Sequence, residues 1–108
     1  MIIQNFQNIC QQEGLPLIYV LFYGQRHLEA ADMNWREIFL KEEFKKRNIP
    51  FFDSKRPLIK YAATHGSDFG IFYATNDTHH NDLGNKLIAE AFVEYLTKNG
   101  YYPVQRQA

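Results

Sequence analysis

The chain has 108 residues, 45% of them hydrophobic and 16% aromatic. That suffices for one small domain with its own core and excludes wholesale disorder. Twelve basic and twelve acidic residues cancel at neutral pH, which excludes a partner recognised mainly by charge, such as nucleic acid or an anionic membrane. The single cysteine, Cys10, excludes an internal disulfide framework. Met1 to Asn5 form neither a basic n-region nor an apolar h-region, and the longest apolar run, Leu15 to Tyr23, is too short to span a bilayer. No membrane span and a cytoplasmic location are expected; a periplasmic or secreted location would require a signal on a segment upstream.

In chain order, residues 2–13 place Ile3, Phe6, Ile9 and Cys10 at helical spacing, with Gly14 as the stop. Pro16 to Tyr23 is apolar without alternation and reads as a strand covered on both faces. Gly24 to Ala31 reads as a loop. Asp32 suits the cap of a helix over about residues 33–47, with Trp35, Ile38 and Phe39 facing inward. Glu37/Lys41, Glu42/Lys46 and Glu43/Arg47 then make i,i+4 pairs on the solvated side. Ile49 to Asp53 is a short strand with Pro50 at its start. Residues 55–65 read as a helix capped by Asp53 or Ser54, with Pro57 in its first turn and Gly66 at its end. Phe69 to Ala74 reads as a short extended segment. The last helix carries Leu83, Leu87, Ile88, Ala91, Phe92, Tyr95 and Leu96 on one stripe and stops at Gly100. This order implies α/β layering around a parallel sheet with right-handed crossovers. Two strands make a poor sheet alone, so the expectation is part of a larger doubly wound domain, or a chain whose sheet edges a partner covers.

Residues 75–90, Thr-Asn-Asp-Thr-His-His-Asn-Asp-Leu-Gly-Asn-Lys-Leu-Ile-Ala-Glu, run a polar turn straight into that last helix. Asn81 or Asp82 caps the helix and fixes the turn before it. A histidine in such a turn is held yet accessible, and the positive helix end favours its neutral, basic form. Asp77, two residues before His79, is placed to accept the Nδ1 proton and set the tautomer, leaving the other nitrogen for a substrate or nucleophile. Three other readings stay open. The turn is a capped, solvated surface feature. Asp77, His79, His80 and Asp82, with His65, bind a metal, although adjacent histidines rarely converge on one ion. Or the chain is a non-catalytic interaction module that presents Tyr101, Tyr102 and its uncovered sheet. Cys10 is expected to be packed, and His27 to lie in a solvated loop.

Residues 76–84, Asn-Asp-Thr-His-His-Asn-Asp-Leu-Gly, and their continuation Leu87-Ile88-Ala89-Glu90-Ala91 resemble the last motif block of SGNH/GDSL hydrolases. There an aspartate precedes the catalytic histidine by two or three residues, and an Asn, a Gly and an amphipathic helix follow. The resemblance implies a partial doubly wound, flavodoxin-like parallel sheet flanked by helices. It makes the 108 residues the C-terminal segment of one such domain. It also implies ester hydrolysis or acyl transfer through a serine acyl-enzyme, on a small ester or acylated carbohydrate. His79 would be the catalytic base and Asp77 its orienting acid; no cofactor and no metal are implied. The likeness is specific only over residues 76–91; upstream it is one of element order. The family's Gly-Asp-Ser nucleophile block and its oxyanion Gly and Asn are not found. The only serines are Ser54 and Ser67, and Gly66-Ser67-Asp68 has the letters in another order, after a helix. Alone, an Asp–His pair without nucleophile or oxyanion hole gives little catalysis. The expectation is therefore a chain inactive by itself and completed by an N-terminal fragment or second subunit.

Overall fold

A computed structural model of the chain describes residues 2–30, 34–74 and 79–101. Within them lie α1 (Ile2–Gln12), β1 (Tyr19–Leu21), α2 (Gln25–Glu29), α3 (Trp35–Lys46), β2 (Phe51–Asp53), α4 (Lys55–His65), a 3-10 turn (Phe69–Phe72) and α5 (Asp82–Lys98). The strands pair in parallel, with Tyr19 opposite Phe51 and Leu21 opposite Asp53. The molecule is thus helix-dominated with a small two-stranded parallel sheet, an α/β layering of the expected coarse class.

Alternation along the strands divides the core in two. On one face Tyr19, Leu21 and Phe51 meet Ile3 of α1, Phe44 of α3 and Ile49. The Phe44 ring lies 4.7 Å from that of Tyr19 and 5.2 Å from that of Phe51. On the other face Val20 and Phe52 meet Leu28, Leu58, Ala62, Phe72 and the α5 stripe of Leu83, Leu87, Ile88, Ala91, Phe92 and Tyr95. Helices therefore cover both faces of the sheet, which explains the unalternating apolar run of β1.

The helix ends follow local chemistry. Gly66, at φ 62°, closes α4 in the left-handed conformation that a glycine adopts without strain. At the start of α4, Asp53 Oδ1 accepts from the Lys55 amide at 3.0 Å, while the Ser54 side chain caps nothing. Asn34 caps α3, its side chain accepting from the Glu37 amide at 2.9 Å; Asp32, the expected cap, lies outside the described residues.

Five local expectations are corrected. Trp35, Ile38 and Phe39 are 67%, 39% and 43% exposed, while Glu37 is buried. The face of α3 that meets the strands is set by Phe44, and one and two turns earlier that stripe carries Leu40 and Glu37. Trp35 falls on the opposite side of the helix. For the same reason the Glu37/Lys41 pair is enclosed rather than solvated. Residues 69–72 form a 3-10 turn that fully buries Phe72, and only Tyr73 is extended. Within the expected loop, α2 inserts Leu28 into the core. On α1, Ile3 and Cys10 are buried as the spacing predicts, but Phe6 and Ile9 are 53% and 57% exposed.

Candidate functional site

The turn before α5 is built by four residues. Asn81 accepts from the Gly84 amide at 2.9 Å, capping α5. Its Nδ2 donates to the Ile71 carbonyl at 2.6 Å and to that of Tyr73 at 3.3 Å, and its backbone amide donates to the Phe72 carbonyl at 2.8 Å. One side chain thereby fastens the helix mouth to the 3-10 turn. Gly84 permits the approach: a Cβ there would stand 2.5 Å from the Phe72 carbonyl oxygen and 3.2 Å from His80 Cβ. Tyr73 and His80 form an isolated antiparallel bridge, and the His79 carbonyl accepts from the Ala74 amide at 3.0 Å. The Tyr73 and His80 rings stack at 4.8 Å.

Tyr73 also sets where the turn sits. Its hydroxyl donates to the Tyr23 carbonyl at 2.7 Å, a buried bond across fifty residues. Burial first, then the Glu29 charge, pushes its pKa up to about 12, so it stays a donor. The Phe22 ring lies 6.2 Å from that of His80. Phe22 and Tyr23 directly follow β1, so the histidine turn stands at the carboxyl end of the parallel strands, where open α/β sheets bind ligands.

His79 is exposed and His80 half-buried. Burial, then the neighbouring His79, holds the His80 pKa below the usual histidine value, and its Nε2 is enclosed without a hydrogen-bond partner among the described residues. His80 is thus a packing residue in its neutral form. Asp77 and Asn76 lie outside the described residues, as does Tyr102. His65 stacks on Tyr61 at 3.8 Å with Nδ1 bonded to the Tyr61 carbonyl, so it is committed to its own helix. Among the described residues no three His, Cys, Asp or Glu side chains come together to hold a metal. His27 is exposed on α2, 2.9 Å from the Asn34 amide nitrogen. Ser54 is fully buried, and Ser67 follows α4 rather than a strand.

Beside the turn lies a charged cluster that pairwise reading of α3 missed. Lys41 Nζ is 2.9 Å from Glu37 and 2.7 Å from Asp53 at the end of β2, and Lys55 Nζ is 2.8 Å from Glu37. The Glu37 side chain is 5% exposed and that of Asp53 11%. Burial alone would raise the Glu37 pKa; hydrogen bonds from Lys55 and Lys41 outweigh it and hold the group below its ordinary range. Burial likewise opposes the charge on Lys41, and Asp53 and Glu37 outweigh it, so its pKa is raised. Lys55 caps the Tyr23 ring at 4.5 Å. The Tyr23 hydroxyl is enclosed without a well-aligned hydrogen bond, and its pKa is driven up by burial first and then by Asp53 and Glu37. In sequence the cluster shows only as the Glu37/Lys41 i,i+4 pair.

Comparison with protein-family models, with curated proteins and with solved structures found no match to the chain. No helix among the described residues is long and apolar enough to cross a membrane.

Proposed function

We propose that the chain supplies the acid–base half of an SGNH/GDSL-type serine hydrolase or acyltransferase, arranged as part of a doubly wound sheet. The observation that carries this reading is the placement of His79. It is exposed on a turn that Asn81, Gly84 and Tyr73 hold at the carboxyl end of two parallel strands. The Asn81 and Gly84 that the resemblance singles out are the residues that build this turn.

In the proposed mechanism a serine hydroxyl from a segment outside these 108 residues gives its proton to His79 as it attacks an ester carbonyl. His79 then passes that proton to the departing alkoxide. Water, or an acceptor alcohol, repeats the sequence on the acyl-serine and regenerates the hydroxyl. Asp77 accepts a hydrogen bond from the His79 Nδ1–H and stabilises the imidazolium in each half-reaction. The substrate class is a small ester or an acylated carbohydrate.

Two measurements test this. In the 108-residue chain, NMR is expected to show a low-field His79 Nδ1 proton that disappears in Asp77→Asn. In cells of the source organism, a tagged chain is expected to co-purify with a polypeptide whose serine reacts with a fluorophosphonate. That labelling is expected to be lost in His79→Ala. An Nδ1 signal indifferent to Asp77→Asn, together with no labelled serine in the complex, would refute the proposal.

A further inference from the structure

We infer that the outer edge of β1 docks one further β-strand, parallel to β1, uncharged and apolar on both faces, from a polypeptide segment other than a second copy of this chain. The inference rests on the hydrolase reading only for that strand's role as carrier of the serine; the edge itself is argued from the sheet.

The ladder is one-sided. Tyr19 donates to the Pro50 carbonyl at 3.1 Å, and Leu21 accepts from the Ser54 amide at 3.2 Å. Alternate residues of a parallel strand serve the same neighbour, so Tyr19 and Leu21 face β2, while both backbone groups of Val20 face the open edge. No charge occurs between Leu15 and Tyr23. The other edge of the sheet is different in kind. An open groove of about 970 Å³ runs along β2, with Asp53, Lys41, Lys45, Arg56 and Lys60 in its walls. Asp53 faces that outer edge, and Lys41 is bonded to it at 2.7 Å. Charge on an edge opposes strand addition.

The position of α1 says what covers the β1 edge. On the sheet face that α3 covers, α1 packs Ile3 beside Phe44, and Gln7 donates to the Arg47 carbonyl at 3.0 Å. No α1 residue lines the groove along β2, so α1 lies on the β1 side. Helices pack roughly 8–10 Å apart and strands about 4.8 Å, so α1 overhangs ground beyond β1 that a strand would occupy. Its stripe of Ile2, Phe6 and Ile9 is 81%, 53% and 57% exposed. A helix that precedes β1 and lies over this ground completes a right-handed crossover with a parallel strand there. A second copy paired two-fold through β1 would bring its own α1 over β1 and β2, where α3 already sits. A strand dry on both faces is a continuous apolar run.

The probe is the peptide acetyl-Lys-Val-Ile-Val-Ile-Val-Lys-amide added to the full chain. Amide hydrogen exchange is followed by NMR. Saturating peptide is expected to slow exchange at Val20 about tenfold or more, with Phe51 and Asp53 unchanged. A nitroxide on the peptide N-terminus is expected to broaden Ile18 rather than Phe22, reporting the parallel direction. The double variant Phe6→Asp/Ile9→Asp, altered only at exposed sites, is expected to abolish the protection. Four results would each overturn the inference: no slowing at Val20, slowing at Phe51 and Asp53 instead, equal slowing by a peptide with aspartate at alternate positions, or protection of Val20 that grows with protein concentration alone. These readouts report docking and not turnover, so their failure is separable from failure of the catalytic assignment at His79.

Discussion

Replacing Gly84 by Ala tests whether close approach of α5 to the 3-10 turn holds the histidine turn in place. On an exposed helix face this change stabilises by about 1 kcal/mol, because alanine loses less backbone freedom. Here the added methyl would stand 2.5 Å from the Phe72 carbonyl oxygen, 3.2 Å from His80 Cβ and 3.3 Å from His80 Cδ2. The first is a backbone atom in a segment pinned by Asn81 at 2.6 and 2.8 Å, so it cannot swing aside as a flexible side chain does. The helix mouth must move out by several tenths of an ångström, stretching the Asn81 bonds and parting His80 from Tyr73. Overpacking of this kind costs roughly 1–3 kcal/mol, so a net loss of up to about 2 kcal/mol is expected once the propensity gain is set against it. Urea unfolding of the full chain measures it, with Asn85→Ala, one residue along on an exposed site, as the control that should be near neutral. A Gly84→Ala variant as stable as the parent, with unchanged Tyr73 and His80 ring shifts, would show that the close contact does not exist in solution.

Other perturbations separate the remaining parts of the site. Tyr73→Phe removes the bond to the Tyr23 carbonyl and should cost about 0.5–1.5 kcal/mol in a urea midpoint, with exchange of the Ala74 amide quickening more than that of Leu58. Asn81→Asp keeps the acceptor for the Gly84 amide but loses the donor to Ile71, so unfolding should place it between the parent and Asn81→Ala, which should lose about 1–2 kcal/mol. Glu37→Gln breaks a buried ion cluster and should cost several kcal/mol, about 3–5 by the measure of other buried pairs; an unchanged thermal midpoint would mean the cluster is hydrated. The folded Glu37 pKa is lowered, so its contribution is present above the ordinary glutamate value of 4.5 and lost as pH falls through the folded value. His80 is also lowered, from 6.5. Its neutral packing therefore stabilises fully above that value and less as pH falls through the folded one, and His80→Phe should flatten the loss of stability between neutral and mildly acidic pH.

Residues whose role is local were readable from the chain. Gly66 ends α4 because only its own conformation matters there. The α5 stripe from Leu83 to Tyr95 packs against the core where its spacing places it, because a single helix face meets a single core. The site's Asn81 and Gly84 stood out as a pair three residues apart, and one turn of helix makes them neighbours. Features that depend on the far side of the molecule were not readable. Glu37 and Lys41 have the spacing of a solvated pair, and only the arrival of Asp53 from β2 and Lys55 from α4 makes them an enclosed cluster. Tyr73 gives no sign in sequence that its hydroxyl reaches Tyr23. The apolar character of Trp35, Ile38 and Phe39 suggests core, yet Phe44 decides which face of α3 turns inward.

The exposed apolar residues then become informative in their own right. Ile2, Phe6 and Ile9 share one stripe of α1, and Phe22 follows the strand whose outer edge has no strand beside it among the described residues. Scattered singly, such residues need no explanation; the stripe on α1 is the ground over which the proposed strand would close. The histidine turn stands at the carboxyl end of that same strand, tied to it through Tyr73 and Tyr23. In the proposed docking, a parallel strand added there would deliver its own carboxyl end, and whatever residue terminates it, to the end of the sheet where the histidine turn stands. The proposed docking edge and the proposed base thus share one end of the sheet. A peptide that protects Val20 yet leaves the His79 ring signals unmoved would separate them.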